Sequence, residues 1–312
     1  MLFFNRRKRA GWTALKKWRD GFILAHVEKR AGQKPLVTEW VHQALDPQSP
    51  ADLKSFSDAY DLKSRHCVLV LGRSEYQLMQ VNAVKVPPVE VRQAIRWGLK
   101  DMLEYPVANA TVDVLEIPAD TSSPSRPRYM LAVAARNETI RECIVRYIDE
   151  ASVGLEAIDV PEIGQRNIAA MLEQPNRGLA LLSFGPEGGL LTFTAGGELY
   201  HTRQIDVPVE QLQSPDEDRR IQIYERVALD LQRSLDNFER QFPYVAVSRL
   251  LVAPFAMRPG FVDYLKDYLY LQVETFDLTD IVDTSGVPEL ADPDEQLRAF
   301  AVLGAALRES AA

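Results

Sequence analysis

The sequence predicts an α/β protein built from two related halves. Strand-type apolar runs alternate with amphipathic helical segments along the whole chain. Each half opens with a glycine-bearing strand–turn–strand, "WTALKKWRDGFILAHVE" in the first and "SFGPEGGLLTFTAGGELYHTRQI" in the second, and later runs from strand to helix. At 312 residues the chain is long enough for two or more packed units.

The elements follow in order. Trp12 to Glu28 reads as two strands around "RDG", because Asp-Gly is a hairpin turn signal. "KPLVTEWVHQAL" continues as a third strand of open register, "DPQSP" breaks the chain, and "ADLKSFSDAYDL" is a short helix. "HCVLVLG" and "EYQLMQVNAV" are strands. Pro87-Pro88 precedes a helix whose apolar face is Val91, Ala94, Ile95, Gly98, Leu99 and Met102, ending near Tyr105 because Pro106 disfavours helix before it. "ATVDVLEI" and "YMLAVAA" are strands on either side of a polar, proline-rich loop. Asn137 is the expected N-cap of a helix burying Ile140, Cys143, Ile144, Tyr147, Ile148 and Ala151, with Gly154 as its C-terminal cap. "LEAIDV" is a strand, followed by a helix through Met171.

Strands after Gly178 lead through the loop "DVPVEQLQSPDEDRR" into a long helix burying Tyr224, Val227, Leu231, Leu235, Phe238 and Phe242, at steps of three and four. "SRLLVAP" is a buried strand, "PGFVDYLKDYL" a helix and "LQVETFDL" a last strand. Asp292, Pro293 and Glu295 announce a final helix through an N-cap, a proline at its first position and an acid at its third.

Composition narrows the function. With 46% hydrophobic and 26% charged residues, the chain is ordinary for a globular protein. A formal net charge of -8 argues against a general nucleic-acid binder. No apolar run approaches the roughly 18 residues that span a bilayer, and "MLFFNRRKR" is too short in its apolar part for a secretory signal. The two cysteines, Cys67 and Cys143, sit in apolar segments and read as buried thiols. The basic tip has two readings. Arg6, Arg7, Lys8 and Arg9 beside Leu2, Phe3 and Phe4 suit an anionic lipid surface, or form a solvated terminus.

The common catalytic signatures are missing. There is no Gly-x-x-x-x-Gly-Lys-Ser/Thr, no Gly-x-Gly-x-x-Gly and no Gly-x-Ser-x-Gly. His26, His42, His66 and His201 have no metal-type spacing, and there is no Cys-x-x-Cys. An unrelated α/β enzyme therefore has no constellation to support it.

Three stretches carry a family resemblance: "AIRWGLKDMLEYPV", a helix ending in an aromatic–Pro corner; "LDLQRSLDNFERQF", like an "R-R-S-L-D-Y-F" helix; and "APFAMRPGFVDYL", like a "G-G-G-A-x-x-P-G" strand-to-helix turn. "ELYHTRQI" also matches. In this order, from about Gly11 to Arg308, they resemble the PilM family of type IV pilus assembly proteins, and most of all its MshI branch, from the biogenesis of mannose-sensitive haemagglutinin (MSHA) pili.

The resemblance implies the actin-like (ribonuclease H-like) fold shared with the division protein FtsA: two α/β subdomains around a cleft for ATP, with a small inserted subdomain. The implied division is a basic tip over 1–10, a first subdomain over 11–71 and 160–177, an insert over 72–159 and a second subdomain over 178–312. The last helix, over 293–310, is expected to pack back on the first subdomain. The resemblance also implies a place at the cytoplasmic face of the inner membrane and a PilN- or MshJ-like membrane partner, whose short cytoplasmic tail docks beside the insert. Candidate docking residues are Val70, Trp97, Met102, Tyr105 and Leu131, with the edges of "HCVLVLG" and "YMLAVAA" open to an added strand. Trp97 falls off its helix's stripe, so it either packs on a neighbouring subdomain or anchors a partner.

An actin-like nucleotide site usually carries Asp followed by glycines in its phosphate loops. The acids organise Mg²⁺ and water, and the glycines admit phosphates. Here Lys16 and Lys17 fall at the first loop and Ser183 at the second, where Gly185 remains but Pro186 removes a donor and Glu187 adds negative charge. The adenosine loop has become Ala253, Pro254 and Phe255, with Phe255 expected to fill the base or ribose space. These departures point to a cleft without working ATP or Mg²⁺ and to a non-catalytic scaffold, with the glycines serving as hairpin turns. The alternative is an ATP-binding switch in which Lys16 or Lys17 still meets a phosphate.

Overall fold

The computed structural model describes residues 8–120, 122–123, 125–256 and 260–309. Its first half begins with β1 (Trp12–Trp18), β2 (Gly21–Glu28) and β3 (Leu36–Ala44), followed by α1 (Pro50–Ala59) and β4 (Cys67–Val70). Then come β5 (Tyr76–Asn82), α2 (Pro88–Gly98), β6 (Ala110–Glu116), β7 (Tyr129–Arg136), α3 (Asn137–Cys143), β8 (Leu155–Asp159) and α4 (Pro161–Leu172). The second half comprises β9 (Gly178–Gly185), β10 (Gly188–Ala195), β11 (Glu198–Ile205), the short α5 (Val209–Leu212), α6 (Glu217–Gln241), β12 (Val247–Val252), α7 (Phe261–Tyr268), β13 (Gln272–Thr275) and α8 (Pro293–Ala306).

The two halves repeat one topology. One five-stranded sheet runs β3-β2-β1-β4-β8 and the other β11-β10-β9-β12-β13. In each, three antiparallel strands form a meander and two further strands join in parallel. A third sheet, β5-β7-β6, is antiparallel and belongs to the insertion.

Between the large sheets, α4 and α8 exchange places. α4 follows the first sheet yet touches β9, β10 and β11, whereas α8 follows the second sheet and lies on β1, β2 and β4. They cross at Gly164 and Gly304, where a Cβ on Gly304 would stand 2.3 Å from the Gly164 carbonyl oxygen. Only glycine permits that approach. The α8 side chains Ala299, Val302 and Leu303 share a core with Ala14, Ile23 and Val68 of the first sheet.

Most local expectations match the structure. All six side chains expected on the long α6 stripe are buried, and Phe193 of the sheet stacks on Phe238 at 4.4 Å. Asp292 caps α8 by accepting from the Asp294 amide at 2.8 Å. Glu295 instead accepts from Trp40 Nε1 at 3.0 Å. Gly196 and Gly197 form the β10–β11 turn, both at positive φ. Cys67 and Cys143 are buried free thiols.

Several expectations need correction. The β1–β2 turn is Arg19-Asp20, and Gly21 is instead the first residue of β2. α2 stops at Gly98, so Met102 and Tyr105 follow it on turns and leave the helical stripe. Asn137 is the first residue of α3 and spends its amide on the Ala108 carbonyl at 3.2 Å, so it caps nothing. α3 continues as a wider π-type helix over Ile144–Glu150. The changed period keeps Cys143, Tyr147 and Ala151 inside but turns Ile144 and Ile148 outward, to about 40% exposure. The left-handed residue after that helix is Ser152, at φ 55°. Gly154 serves a different need, because a Cβ there would stand 2.3 Å from the Arg65 carbonyl oxygen. Finally, β8 lies in the first large sheet and α3 packs into the first half's core, so the insertion is narrower than 72–159.

Candidate functional site

Two hairpin turns meet at the cleft between the halves: Arg19-Asp20 between β1 and β2, and Pro186-Glu187 between β9 and β10. The carboxyl end of β4, at Gly72 and Arg73, joins them, since Arg73 contacts the second turn directly. Side chains at the carboxyl ends of parallel strands converge on such crevices.

Charged groups of the second turn are taken up by the first half. Glu187 Oε2 lies 3.3 Å from Lys16 Nζ, and its Oε1 accepts from the Arg73 amide at 3.3 Å. The Arg73 guanidinium donates to the Glu187 carbonyl at 2.6 Å and to Gln204 Oε1 at 2.8 Å. Arg19 donates to the Pro186 carbonyl at 3.2 Å and pairs with Glu210 at 2.7 Å.

Behind this layer lies a cavity of about 90 Å³, lined by Lys16, Tyr76, Glu162, Gln165, Ser183 and Gly185 among others. That is room for a handful of waters. Its walls satisfy one another. Ser183 donates to Gln165 Oε1 at 2.6 Å, and Gln165 Nε2 donates to the Leu181 carbonyl at 2.7 Å. Tyr76 donates to the buried Glu162 at 2.6 Å. Burial pushes the Glu162 carboxyl above the usual carboxylate range, against the pull of that hydrogen bond. On the outer side, Lys17, Arg19, Ser74 and Glu75 line a second concavity of about 330 Å³. Lys16, Trp18, Pro186 and Glu187 line both spaces, so the Glu187 turn divides the cleft.

The structure thus gathers Lys16, Ser183 and Gly185 at the inner cavity and places Lys17 outside. Ala253 and Phe255 line neither space. Ala253 is buried, with its amide on the Leu182 carbonyl at 2.8 Å. Phe255 is buried in an aromatic cluster, 5.8 Å from Phe184 and 6.2 Å from Phe261. Residues 257–259 of that turn lie outside the described residues. Arg73, Gln165 and Glu162 belong to the site without having been singled out by sequence. An arginine directly after the glycine that ends a buried strand was the available signal for Arg73.

The docking candidates separate cleanly. β4 lies between β1 and β8, and β7 between β5 and β6, so neither is an edge open to strand addition. Val70 and Leu131 are buried, Val70 within the core that α8 shares with the first sheet and Leu131 against the second half. Tyr105 is also buried, beneath the Arg136 guanidinium at 4.2 Å. Trp97 is 67% exposed and Met102 46%, which rules out packing on a neighbouring subdomain as the main role of Trp97.

The basic tip is partly engaged. Lys8 pairs with Glu156, and Arg9 donates to Thr38 at 3.1 Å and lies 3.8 Å from Glu28. Arg6 and Arg7 lie outside the described residues. No described helix is long and apolar enough to cross a membrane.

No protein-family model matches this sequence, and no curated protein matches it. Solved structures do. A chain of a PilM-PilN type IV pilus biogenesis complex is 18% identical, with TM-score 0.71, covering 97% of this chain and 100% of that one. A Bacteroides thetaiotaomicron protein with an actin-like ATPase fold is 9% identical, with TM-score 0.50, covering 93% and 99%. The cytoplasmic domain of EpsL, from the type II secretion system of Vibrio cholerae, is 12% identical, with TM-score 0.49, covering 94% of each chain. The fold is therefore actin-like.

That fold raises the question of a Mg-nucleotide, and the residues present do not fit its phosphates. The position between the turns holds the Glu187 carboxylate, which repels a phosphate and already neutralises Lys16. Among the described residues, no group of three or more His, Cys, Asp or Glu side chains is placed to hold a metal ion.

Proposed function

We propose that this protein is a non-catalytic scaffold of a type IV pilus assembly platform of the MSHA kind, working at the cytoplasmic face of the inner membrane. It docks the cytoplasmic tail of a PilN- or MshJ-like membrane protein. The observation that carries this reading is the network across the cleft, in which Glu187, Lys16 and Arg73 satisfy one another where a nucleotide's phosphates would lie. Its likeness in fold to a chain from a PilM-PilN complex supports the choice of partner.

Docking centres on the outer face of α2 and the turn after it, where Val89, Trp97 and Met102 are exposed. Ile95 on the inner face of the same helix and Leu99 just past its end pack against Met130, Ala132 and Ala134 of the small sheet, which gives the exposed side chains a rigid base. A large aromatic on such a base is a good anchor, because it buries wide area with few rotors to freeze.

The test is to titrate a tail peptide of a PilN- or MshJ-like protein into the purified chain, with and without millimolar Mg-ATP, and to record the thermal midpoint under both conditions. The scaffold reading expects peptide binding that ignores nucleotide and no ATP-dependent rise in midpoint. A ligand at 100 times its dissociation constant would add about 2.7 kcal/mol, which such an assay detects. Peptide binding that requires ATP, or ATP turnover, would make the protein a nucleotide switch instead.

A further inference from the structure

Glu187 sits at the tip of the β9–β10 turn with both carboxylate oxygens engaged by the other half: Oε2 by Lys16 and Oε1 by the Arg73 amide. The Lys16 side chain is only 12% exposed, so its charge needs a partner at this position. The turn is shaped around the same contact. Gly188 adopts φ +121°, and a Cβ there would stand 2.3 Å from the Arg73 guanidinium. A Cβ is also crowded at Gly72, 3.3 Å from Glu187 Oε1. Gly188 of "FGPEGG" therefore makes room for an arginine of this chain. Pro186 lends the turn rigidity and gives its carbonyl to Arg19 at 3.2 Å.

We propose that Glu187 is a tethered ligand of its own cleft. Its carboxylate occupies an oxyanion site made by Lys16 and the Arg73 amide, while the Arg73 side chain grips the Glu187 backbone carbonyl, and together these contacts hold the two halves closed with no bound anion. Other charged groups surround the site: the buried Glu162 shares the inner cavity with Lys16 and accepts from Tyr76 at 2.6 Å. Arg19 is paired with Glu210, and the Glu75 carboxylate accepts from the Gly72 amide at 2.6 Å. Lys17 lines the outer concavity. Removing the Glu187 charge leaves Lys16 and the Arg73 amide as an open site for a phosphate-class anion. The inference builds on reading the cleft as one that does not use nucleotide.

The experiment compares the full chain with Glu187→Gln and with the double variant Lys16→Met/Glu187→Gln, using inorganic phosphate as the probe and chloride at equal ionic strength as the reference. Glu187→Gln keeps the shape of the side chain and removes its charge. The expected result is a lower thermal midpoint for Glu187→Gln in chloride, recovered by phosphate. Its phosphate affinity should exceed that of the unsubstituted chain by about tenfold or more, ~1.4 kcal/mol. The double variant should lose the phosphate response. Glu187→Gln responding to phosphate no more than the unsubstituted chain would overturn the proposal. A response that survives Lys16→Met would also overturn it, by placing the anion elsewhere. Binding of Mg-ATP by the unsubstituted chain is a separate readout, which bears on the scaffold reading and leaves the variant comparison intact.

Discussion

His26 gives a prediction whose size follows from the structure. It lies fully buried on β2. Its Nε2 faces the Ala10 carbonyl at 3.0 Å, so Nε2 carries the proton, and Nδ1 accepts from the Thr13 hydroxyl at 2.7 Å. That pair of bonds selects the neutral ring. Burial first, then the charges of Arg9 and Arg65, push the imidazole down from 6.5 to about 4, against the weaker opposite pull of the Ala10 bond and Glu39. Above about pH 6.5 the ring is neutral in both folded and unfolded chains, and its contribution to stability is complete. Between about pH 6.5 and 4 the unfolded chain takes up a proton that the folded one refuses, so stability falls with pH. The full loss is of order 3 kcal/mol, with ~2 kcal/mol already gone near pH 5. Urea unfolding of the unsubstituted chain and of His26→Gln, at about pH 8 and about pH 5, isolates this contribution. Other titrating groups, including His201, which burial also lowers, act in both proteins and cancel in the difference. The stability gap between the two proteins should narrow or reverse by ~2 kcal/mol on acidification. An unchanged gap would refute the assignment of a buried neutral ring.

Gly304→Ala separates helix propensity from packing. In an exposed helix the change would gain about 1 kcal/mol, but here the new methyl meets the Gly164 carbonyl oxygen of α4. The expected outcome is a loss of about 2 kcal/mol in urea unfolding, because the two crossing helices cannot both stay in place. Trp97→Ala should change stability by less than ~0.5 kcal/mol, as suits an exposed side chain. It should weaken capture of the partner tail by about tenfold or more in a titration. Unaltered binding by the folded variant would remove Trp97 from the docking face.

What the sequence determined by itself was local. Steps of three and four marked the buried stripe of α6, because one helix face is set by a 3.6-residue period whatever covers it. Gly196-Gly197 marked a hairpin, and Asp292 with Pro293 marked the start of α8, because turns and caps are satisfied within a few residues. The repeated opening of the two halves foreshadowed the two sheets of matching strand order.

Tertiary structure decided what depends on distant partners. Burial-type periodicity could not place β4 inside its sheet, because a four-residue apolar strand looks alike at an edge and in the middle. The widened turn after α3 exposed Ile144 and Ile148, which a regular helix would have buried. The family resemblance anticipated α8 packing back on the first half, but the close crossing of α4 and α8 rests on a contact between two glycines that carries no local signal. The cleft is the clearest case. Lys16 and Glu187 are 171 residues apart; each was legible as a departure in its own loop, but nothing local in sequence pairs one with the other. Only folding both halves around the crossing helices brings the carboxylate to the lysine and makes one part of the chain the ligand of another.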